Sequence, residues 1–115
     1  MISEKELYLA FLELTDNLEL YGVTCGLNIR LNKPVPAVAV MEMFDTFEKM
    51  IELSLDNLSA VNISVTLNGS IFTMTVTAES STDFNVMNGD FVTAVCDDDG
   101  EWQIVYRREA ERCKA

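Results

Sequence analysis

The chain opens with a pattern typical of an amphipathic helix. Ser3 and Glu6 have the spacing of a capping box, in which an N-cap serine and a later glutamate bond each other's backbone N–H groups. Apolar residues then recur at helical spacing to about Tyr21, and Gly22 follows where a left-handed residue commonly ends a helix. Strict alternation of apolar and polar positions over 23–31 predicts a strand with one buried face.

A loop containing two prolines, 32–36, separates this strand from a second predicted helix. Proline fixes φ, lacks an N–H and pushes the residue before it toward extended geometry. From about Ala37 to Asn57 the apolar residues trace a broad stripe, which predicts the central core helix with Phe47 and Ile51 facing the sheet. The charged residues of this segment are expected on the solvent side: Glu42, Asp45, Glu48, Lys49 and Glu52.

Four more strands are predicted, as two hairpins. The alternating runs 61–67 and 72–78 flank Asn68-Gly69, and Asn-Gly is the strongest short-range hairpin signal. A second hairpin is expected from 91–96 and 102–107 around an acidic turn at 97–100. We interpret that turn as structural, since a calcium loop needs spaced oxygen ligands and a distal bidentate glutamate. The tail from Arg108 onward is expected to fray.

The resulting order α-β-α-β-β-β-β predicts an α/β (α+β) two-layer sandwich in a single domain, 1–115. A chain of 115 residues, 49% of them apolar, can bury roughly 65% of its unfolded surface in one core. Two helices can cover only one face of a five-stranded mixed sheet. The other face, rich in Thr and Ser, is expected to be partly wet or covered by a partner. The large aromatic residues, Phe91 included, are expected in the core.

Charge and composition narrow the possible functions. Nineteen acidic against eight basic residues give a net charge of −11, which repels nucleic acid and anionic membrane surfaces. The absence of histidine excludes a Ser-His or Cys-His nucleophile pair and a phosphoacceptor histidine within these residues. Glu48 and Glu52 share a helix face and could form a carboxylate pair, but a solvated face is the simpler interpretation.

The expected environment is a reducing cytoplasm. Cys25, Cys96 and Cys113 stand far apart and form no Cys-x-x-Cys pair, so free thiols are expected rather than a disulfide framework or a zinc site. No apolar stretch approaches the ~18 residues that a membrane span needs, and the first residues have no signal-peptide pattern. We therefore expect a soluble protein with no direct membrane contact.

The junctions between the elements resemble the ATP-binding (HATPase, GHKL-type) domain of sensor histidine kinases. The motif Leu-Tyr-Gly-Val at 20–23 leads into a strand, and a proline-containing loop and a long helix follow. The next strand, Ala-Val-Asn-Ile-Ser-Val-Thr-Leu, occupies 60–67. The likeness spans most of the chain and implies a role in two-component-type signal transduction.

The positions that hold Mg²⁺ in that family carry the wrong residues here. The long helix of the family has a Glu and, four residues later, an Asn that hold Mg²⁺ and the phosphates. When the helix-to-strand junction is matched, Lys49 and Leu53 occupy these positions. A shifted match that puts Glu52 and Asp56 there leaves too few residues between helix and strand.

The remaining ATP-binding features of the family are also missing. The family places Asp-x-Gly-x-Gly after the third strand, and its Asp accepts a hydrogen bond from the adenine amino group. This chain has Glu79, Ser80 and Ser81 there. The glycine-rich lid is reduced to a short link, 82–89, whose single glycine is Gly89, so no phosphate cradle of backbone N–H groups is expected.

The resemblance therefore implies a degenerate domain without ATP or Mg²⁺ as cofactor. We expect neither catalytic residues nor a metal site, although the parent family consists of kinases. The domain is expected to act through a protein partner or as a homodimer. A nearly uncharged strand is the candidate contact surface, with Phe91, Val92, Ala94 and Val95 as its interaction residues.

Two alternatives have no kinase relationship. A small acidic chaperone for secreted effectors would share the size and the low pI, but such chaperones generally place a run of strands between two long helices. A ligand-binding α/β module would need an enclosed apolar pocket with a few polar groups inside.

Overall fold

The helices and strands follow the predicted order. The computed structural model describes residues 1–110. The elements are α1 Glu4–Leu20, β1 Thr24–Arg30, α2 Ala37–Ser54, β2 Leu58–Asn68, β3 Ile71–Ser80, a short 3-10 helix Asn85–Met87, β4 Val92–Cys96 and β5 Glu101–Glu109.

The strands form one mixed sheet in the order β1-β2-β3-β5-β4. β1 pairs parallel to β2, and every other neighbouring pair is antiparallel. The parallel pair follows from the crossover through α2, because parallel neighbours cannot be joined by a tight turn. Both helices pack on one face of this sheet, which confirms the predicted two-layer sandwich.

The capping box of α1 forms as predicted. The Glu6 N–H donates to Ser3 Oγ at 3.2 Å, and Glu6 Oε1 accepts from the Ser3 N–H at 3.3 Å and from its hydroxyl at 2.9 Å. These hydrogen bonds stabilise the carboxylate and hold the pKa of Glu6 below its ordinary value. Tyr21 is the C-cap, and Gly22 follows with φ of 84°, a backbone conformation that glycine adopts without strain.

The central helix ends earlier than predicted, at Ser54 rather than Asn57. Leu55 is its C-cap, and the Asn57 N–H turns back to donate to the Ser54 carbonyl at 2.9 Å. Phe47 is 2% exposed, as predicted, whereas Ile51 is only partly buried and lies beside α1. Phe11 of α1 packs against this helix, with its ring edge-on to Phe47 at a centroid distance of 5.6 Å.

Both predicted hairpins form. The first turns at Gly69 and Ser70, one position later than Asn68-Gly69, and Gly69 supplies the positive φ (61°) that a type II′ turn needs at its first central position. In the second, the Asp97 carboxylate accepts from the N–H groups of Asp99 and Glu101, each at 2.9 Å. These bonds account for Asp97 as a turn residue.

The expected fraying at Arg108 is wrong. Arg108 and Glu109 belong to β5, and Ala110 is buried. Arg108 Nη1 contacts Glu42 Oε2 of α2 at 2.6 Å, so this carboxylate is engaged with the sheet rather than standing free on the solvent side. Strand β5 continues because it pairs with β3 along its whole length. The rest of the predicted tail, 111–115, lies outside the described residues.

The sheet face away from the helices is uncovered within residues 1–110. Its residues alternate with the buried core positions and are exposed or partly exposed, as the sequence predicted. They include Asn62, Ser64 and Thr66 on β2, Thr73, Thr75 and Thr77 on β3, and Gln103 and Val105 on β5.

Candidate functional site

The C-terminal end of α2 is tied to the chain leaving β3. Asn57 Oδ1 accepts from the hydroxyls of Ser80 at 2.5 Å and Thr82 at 2.6 Å. The Thr82 hydroxyl also lies 3.4 Å from the Leu53 carbonyl oxygen, one of the helix-end acceptors that lack an intrahelical partner. Asn57 therefore joins two elements, a role that its predicted position as the last residue of the helix did not reveal.

The segment after β3, residues 81–90, packs down onto the core; we call it the post-β3 segment. Phe84 is 0% exposed, and its ring lies edge-on to Trp102 at 5.5 Å between centroids. Met87 is also buried. The Asp83 carboxylate accepts from the Asn85 N–H at 2.9 Å at the start of the short 3-10 helix. Two large apolar side chains therefore anchor this otherwise exposed segment to the core.

Two of the four positions that the resemblance singled out lie together on the surface of α2. Lys49 and Leu53 lie one helical turn apart on exposed positions of α2. Ser81 is exposed and directly precedes Thr82, which contacts the Leu53 carbonyl. Glu79 lies elsewhere, because the alternation of β3 turns it to the uncovered sheet face.

Glu79 borders a groove of about 600 Å³ on that uncovered face. Its partner in the register with β5 is Glu101, which lines the same groove together with Thr77 and Asn62. The two carboxylates make this groove acidic, and it is open to solvent. It provides no apolar enclosure of the kind that a small-molecule site usually has.

The free edge of β4 is closed at its centre by a side chain. Asn88 Oδ1 accepts from the Ala94 N–H at 2.8 Å, and Asn88 Nδ2 donates to the Ala94 carbonyl at 3.3 Å. The primary amide thus replaces one residue of a neighbouring strand, which protects an edge that would otherwise present unpaired backbone groups. Nothing in the residue pattern indicated this role of Asn88.

The four candidate interaction residues have different environments. Val95 is 56% exposed and Phe91 is 45% exposed, whereas Val92 is partly buried and Ala94 is buried. The expectation that Phe91 belongs to the core is therefore wrong. The Arg108 guanidinium lies 4.1 Å from the Phe91 ring centroid, a cation–π contact that keeps the ring at the surface.

The Arg108 contact belongs to a polar cluster between β5 and α2. Glu42 accepts from Arg108 Nη1 at 2.6 and 2.8 Å and from the Tyr106 hydroxyl at 2.8 Å. Tyr106 is 2% exposed and comes from β5, whereas Glu42 comes from α2. These contacts join the helix layer to the sheet, so we assign the cluster to stability rather than to chemistry.

Cysteine and metal chemistry find little support in the described chain. Burial raises the pKa of the Cys25 thiol, and the Glu19 carboxylate raises it further, so the thiolate is disfavoured. Cys96 is exposed and unpaired, and Cys113 lies outside the described residues. Among residues 1–110, no group of acidic and cysteine side chains is arranged to hold a metal ion.

Comparison with known proteins shows a likeness of fold alone. No protein-family model matches the sequence, and no curated protein matches it. Among solved structures, the chain is similar to the Acinetobacter baumannii histidine kinase AdeS, with a TM-score of 0.62 at 10% sequence identity. The match covers 95% of this chain and 66% of that chain, so this chain corresponds to part of the kinase.

The likeness supports a kinase-like fold. Identity of 10% carries no information about chemistry. Within residues 1–110, no helix is long and apolar enough to cross a bilayer.

Proposed function

We propose that this domain is a degenerate ATP-binding domain of the histidine-kinase type, which acts in signal transduction by contact with a protein and not by ATP chemistry. The observation that carries the proposal is the attachment of the chain after β3 to the C-terminal end of α2. The Thr82 hydroxyl lies 3.4 Å from the Leu53 carbonyl oxygen and donates to Asn57 Oδ1 at 2.6 Å. A nucleotide held by the family's motifs would need Mg²⁺ ligands and a mobile lid at this place.

The residues of this chain favour neither the Mg²⁺ ligands nor the mobile lid. Lys49 is cationic and Leu53 is apolar, and neither side chain supplies an oxygen ligand for Mg²⁺. The post-β3 segment stands in the chain position of the lid, and two of its side chains, Phe84 and Met87, are buried in the core. A closed, anchored segment supports the loss of nucleotide binding, because opening it would expose both side chains to water.

The other two functions are less well supported. A strand separates the two helices, which is unlike the secretion-chaperone order. The groove that Glu79 borders is acidic and lies on an open face, which is unlike a ligand-binding cavity. A protein contact uses what the fold leaves available: the uncovered sheet face, the exposed Val95 on β4, and the outer surfaces of the helices.

Thermal denaturation in the presence of MgATP tests the proposal. A ligand at 100 times its Kd adds ~2.7 kcal/mol to stability, which raises Tm by several degrees in a domain of this size. We expect no rise with millimolar MgATP, and an intact ATP-binding domain of a histidine kinase serves as the positive control. A clear ATP-dependent rise would contradict the proposal.

Sedimentation across a wide concentration range, with capture of partners from the native lysate, tests the proposal that the domain acts by contact with a protein. We expect a homodimer or a complex with a protein. A strict monomer that captures no protein and retains a small molecule, identified by mass spectrometry, would favour the ligand-binding alternative instead.

A further inference from the structure

An apolar groove runs between the second halves of α1 and α2. It has a volume of about 230 Å³, and its apolar lining comes from Leu14, Leu18 and Tyr21 of α1 and from Phe47, Ile51 and Leu55 of α2. Tyr21 is 72% exposed and Leu55 is 38% exposed. The groove lies on the α1 side of α2 and shares no lining residue with the Leu53–Thr82 contact.

Negative charge surrounds this apolar lining. Glu48 and Glu52 line the groove, and both are exposed. The two helices run in the same direction, because Phe11 lies beside Phe44 and the later residues Tyr21 and Leu55 share the groove. Their C-terminal ends are therefore neighbours, and each end carries the equivalent of roughly −0.5 elementary charge.

This negative potential is not offset in the last turn of either helix, and the one basic residue of α2 is Lys49, beside Glu48. Neither α1 nor α2, both of which lie wholly in the described part of the chain, has a basic residue in its last turn. A groove with apolar walls and a negative rim selects an occupant that is both apolar and cationic. A second copy of this chain fits poorly, because its own net charge is −11.

The size of the groove also limits its occupant. Pockets for small molecules have volumes of ~300–1,000 Å³, so this groove is better suited to a few protruding side chains than to an enclosed ligand. An amphipathic helix presents such side chains along one stripe and can carry Lys or Arg beside them.

We propose that the α1–α2 groove binds a basic amphipathic helix of a partner protein. Large apolar side chains of the partner enter the groove, and its Lys or Arg residues lie against Glu48 and Glu52. This inference rests on the proposed function, since it states the chemistry of the partner through which the domain acts.

The probe is a fluorescently labelled peptide of about 15 residues, made of Leu and Lys at helical spacing. Fluorescence anisotropy measures its Kd at low and at high salt. We expect binding that weakens as salt rises, because exposed charge pairs are screened. A peptide with Glu in place of Lys, and one of the same composition with the apolar stripe scrambled, are expected to bind at least about tenfold more weakly.

Matched variants locate the binding site. The double variant E48Q/E52Q is expected to weaken binding about fivefold, from two exposed charge pairs, and L55A about tenfold, from lost apolar contact. The control is D98N/D99N, which removes the same charge from the distant β4–β5 turn and is expected to change the Kd less than about twofold. Circular dichroism and urea denaturation verify that every variant is folded.

Each outcome separates the groove from the proposed function. The groove proposal is refuted if the Leu-Lys peptide does not bind, or if the two double variants weaken its binding equally. Neither result affects the MgATP test of the proposed function. If E48Q/E52Q and L55A weaken peptide binding as expected but MgATP also stabilises the protein, the groove proposal stands and the proposed function is refuted.

Discussion

The replacement of Phe84 by alanine tests whether the post-β3 segment is a fixed part of the core. Phe84 is 0% exposed, and its ring contacts Trp102 edge-on at 5.5 Å. Removing a buried phenylalanine side chain costs about 3–5 kcal/mol, of which the aromatic pair accounts for about 0.5–1.5 kcal/mol. Domains of this size are stable by only ~5–15 kcal/mol, so the loss is a large share of the total.

Urea denaturation followed by Trp102 fluorescence measures this effect. At a slope of ~2 kcal/mol per molar urea, a loss of 3–5 kcal/mol lowers the midpoint by about 1.5–2.5 M. The emission of folded Phe84→Ala is expected to shift to longer wavelength, because water gains access to an indole that is 8% exposed in the parent protein. Phe84→Leu, which keeps most of the volume, should cost less than about 1.5 kcal/mol and covers the case in which the alanine variant does not fold.

The matched control is Val86→Ala, in the same segment. Val86 is 64% exposed, so its truncation should cost less than about 0.5 kcal/mol. If Phe84→Ala and Val86→Ala have equal small effects, the segment is not anchored, and the argument that it closes the position of a nucleotide lid is refuted.

Two further variants test the packing of the central helix and the protection of the sheet edge. Phe47→Ala should lower the free energy of unfolding by about 3–5 kcal/mol, against less than about 0.5 kcal/mol for Glu48→Ala on the exposed side; equal losses in urea denaturation would show that the buried face of α2 is misassigned. Asn88→Ala should cost about 1–3 kcal/mol, because two backbone groups of Ala94 lose their partner, and should promote edge-to-edge association that sedimentation detects. Asn88→Asp keeps the acceptor and loses the donor, so an effect as large as that of Asn88→Ala would place the whole contribution in the donated bond.

The order of elements was readable from the sequence, because local rules decide it. A capping box, a helical apolar stripe and period-two alternation each act over a few residues, and each gives the same structure in most surroundings. The turn of the first hairpin was predicted one residue too early. Asn-Gly indicated a turn, but the structure places glycine at the first central position, since the register of β2 against β3 also decides which residues form the loop.

The parts that the sequence did not reveal are side-chain contacts that form only in the folded chain. Arg108 belongs to β5, although a charged residue near the C-terminus usually frays, because Glu42 in α2 and the Phe91 ring hold its guanidinium. Asn88 protects the β4 edge only because the post-β3 segment returns alongside Ala94. No local pattern encodes either contact, since the first depends on how α2 lies against the sheet and the second on the path of the post-β3 segment beside β4.

The candidate sites likewise have some features that the sequence determined and others that only the tertiary structure determined. The sequence alone determined that Lys49 and Leu53 cannot supply oxygen ligands for Mg²⁺, because this is a property of the side chains. Only the tertiary structure decided that the Leu53 carbonyl meets the chain after β3, because the end of α2 and the path of the chain beyond β3 together fix that contact. The groove between α1 and α2 likewise exists only in the folded chain, where the parallel packing of two separately encoded stripes leaves Tyr21 and Leu55 incompletely covered beside Glu48 and Glu52.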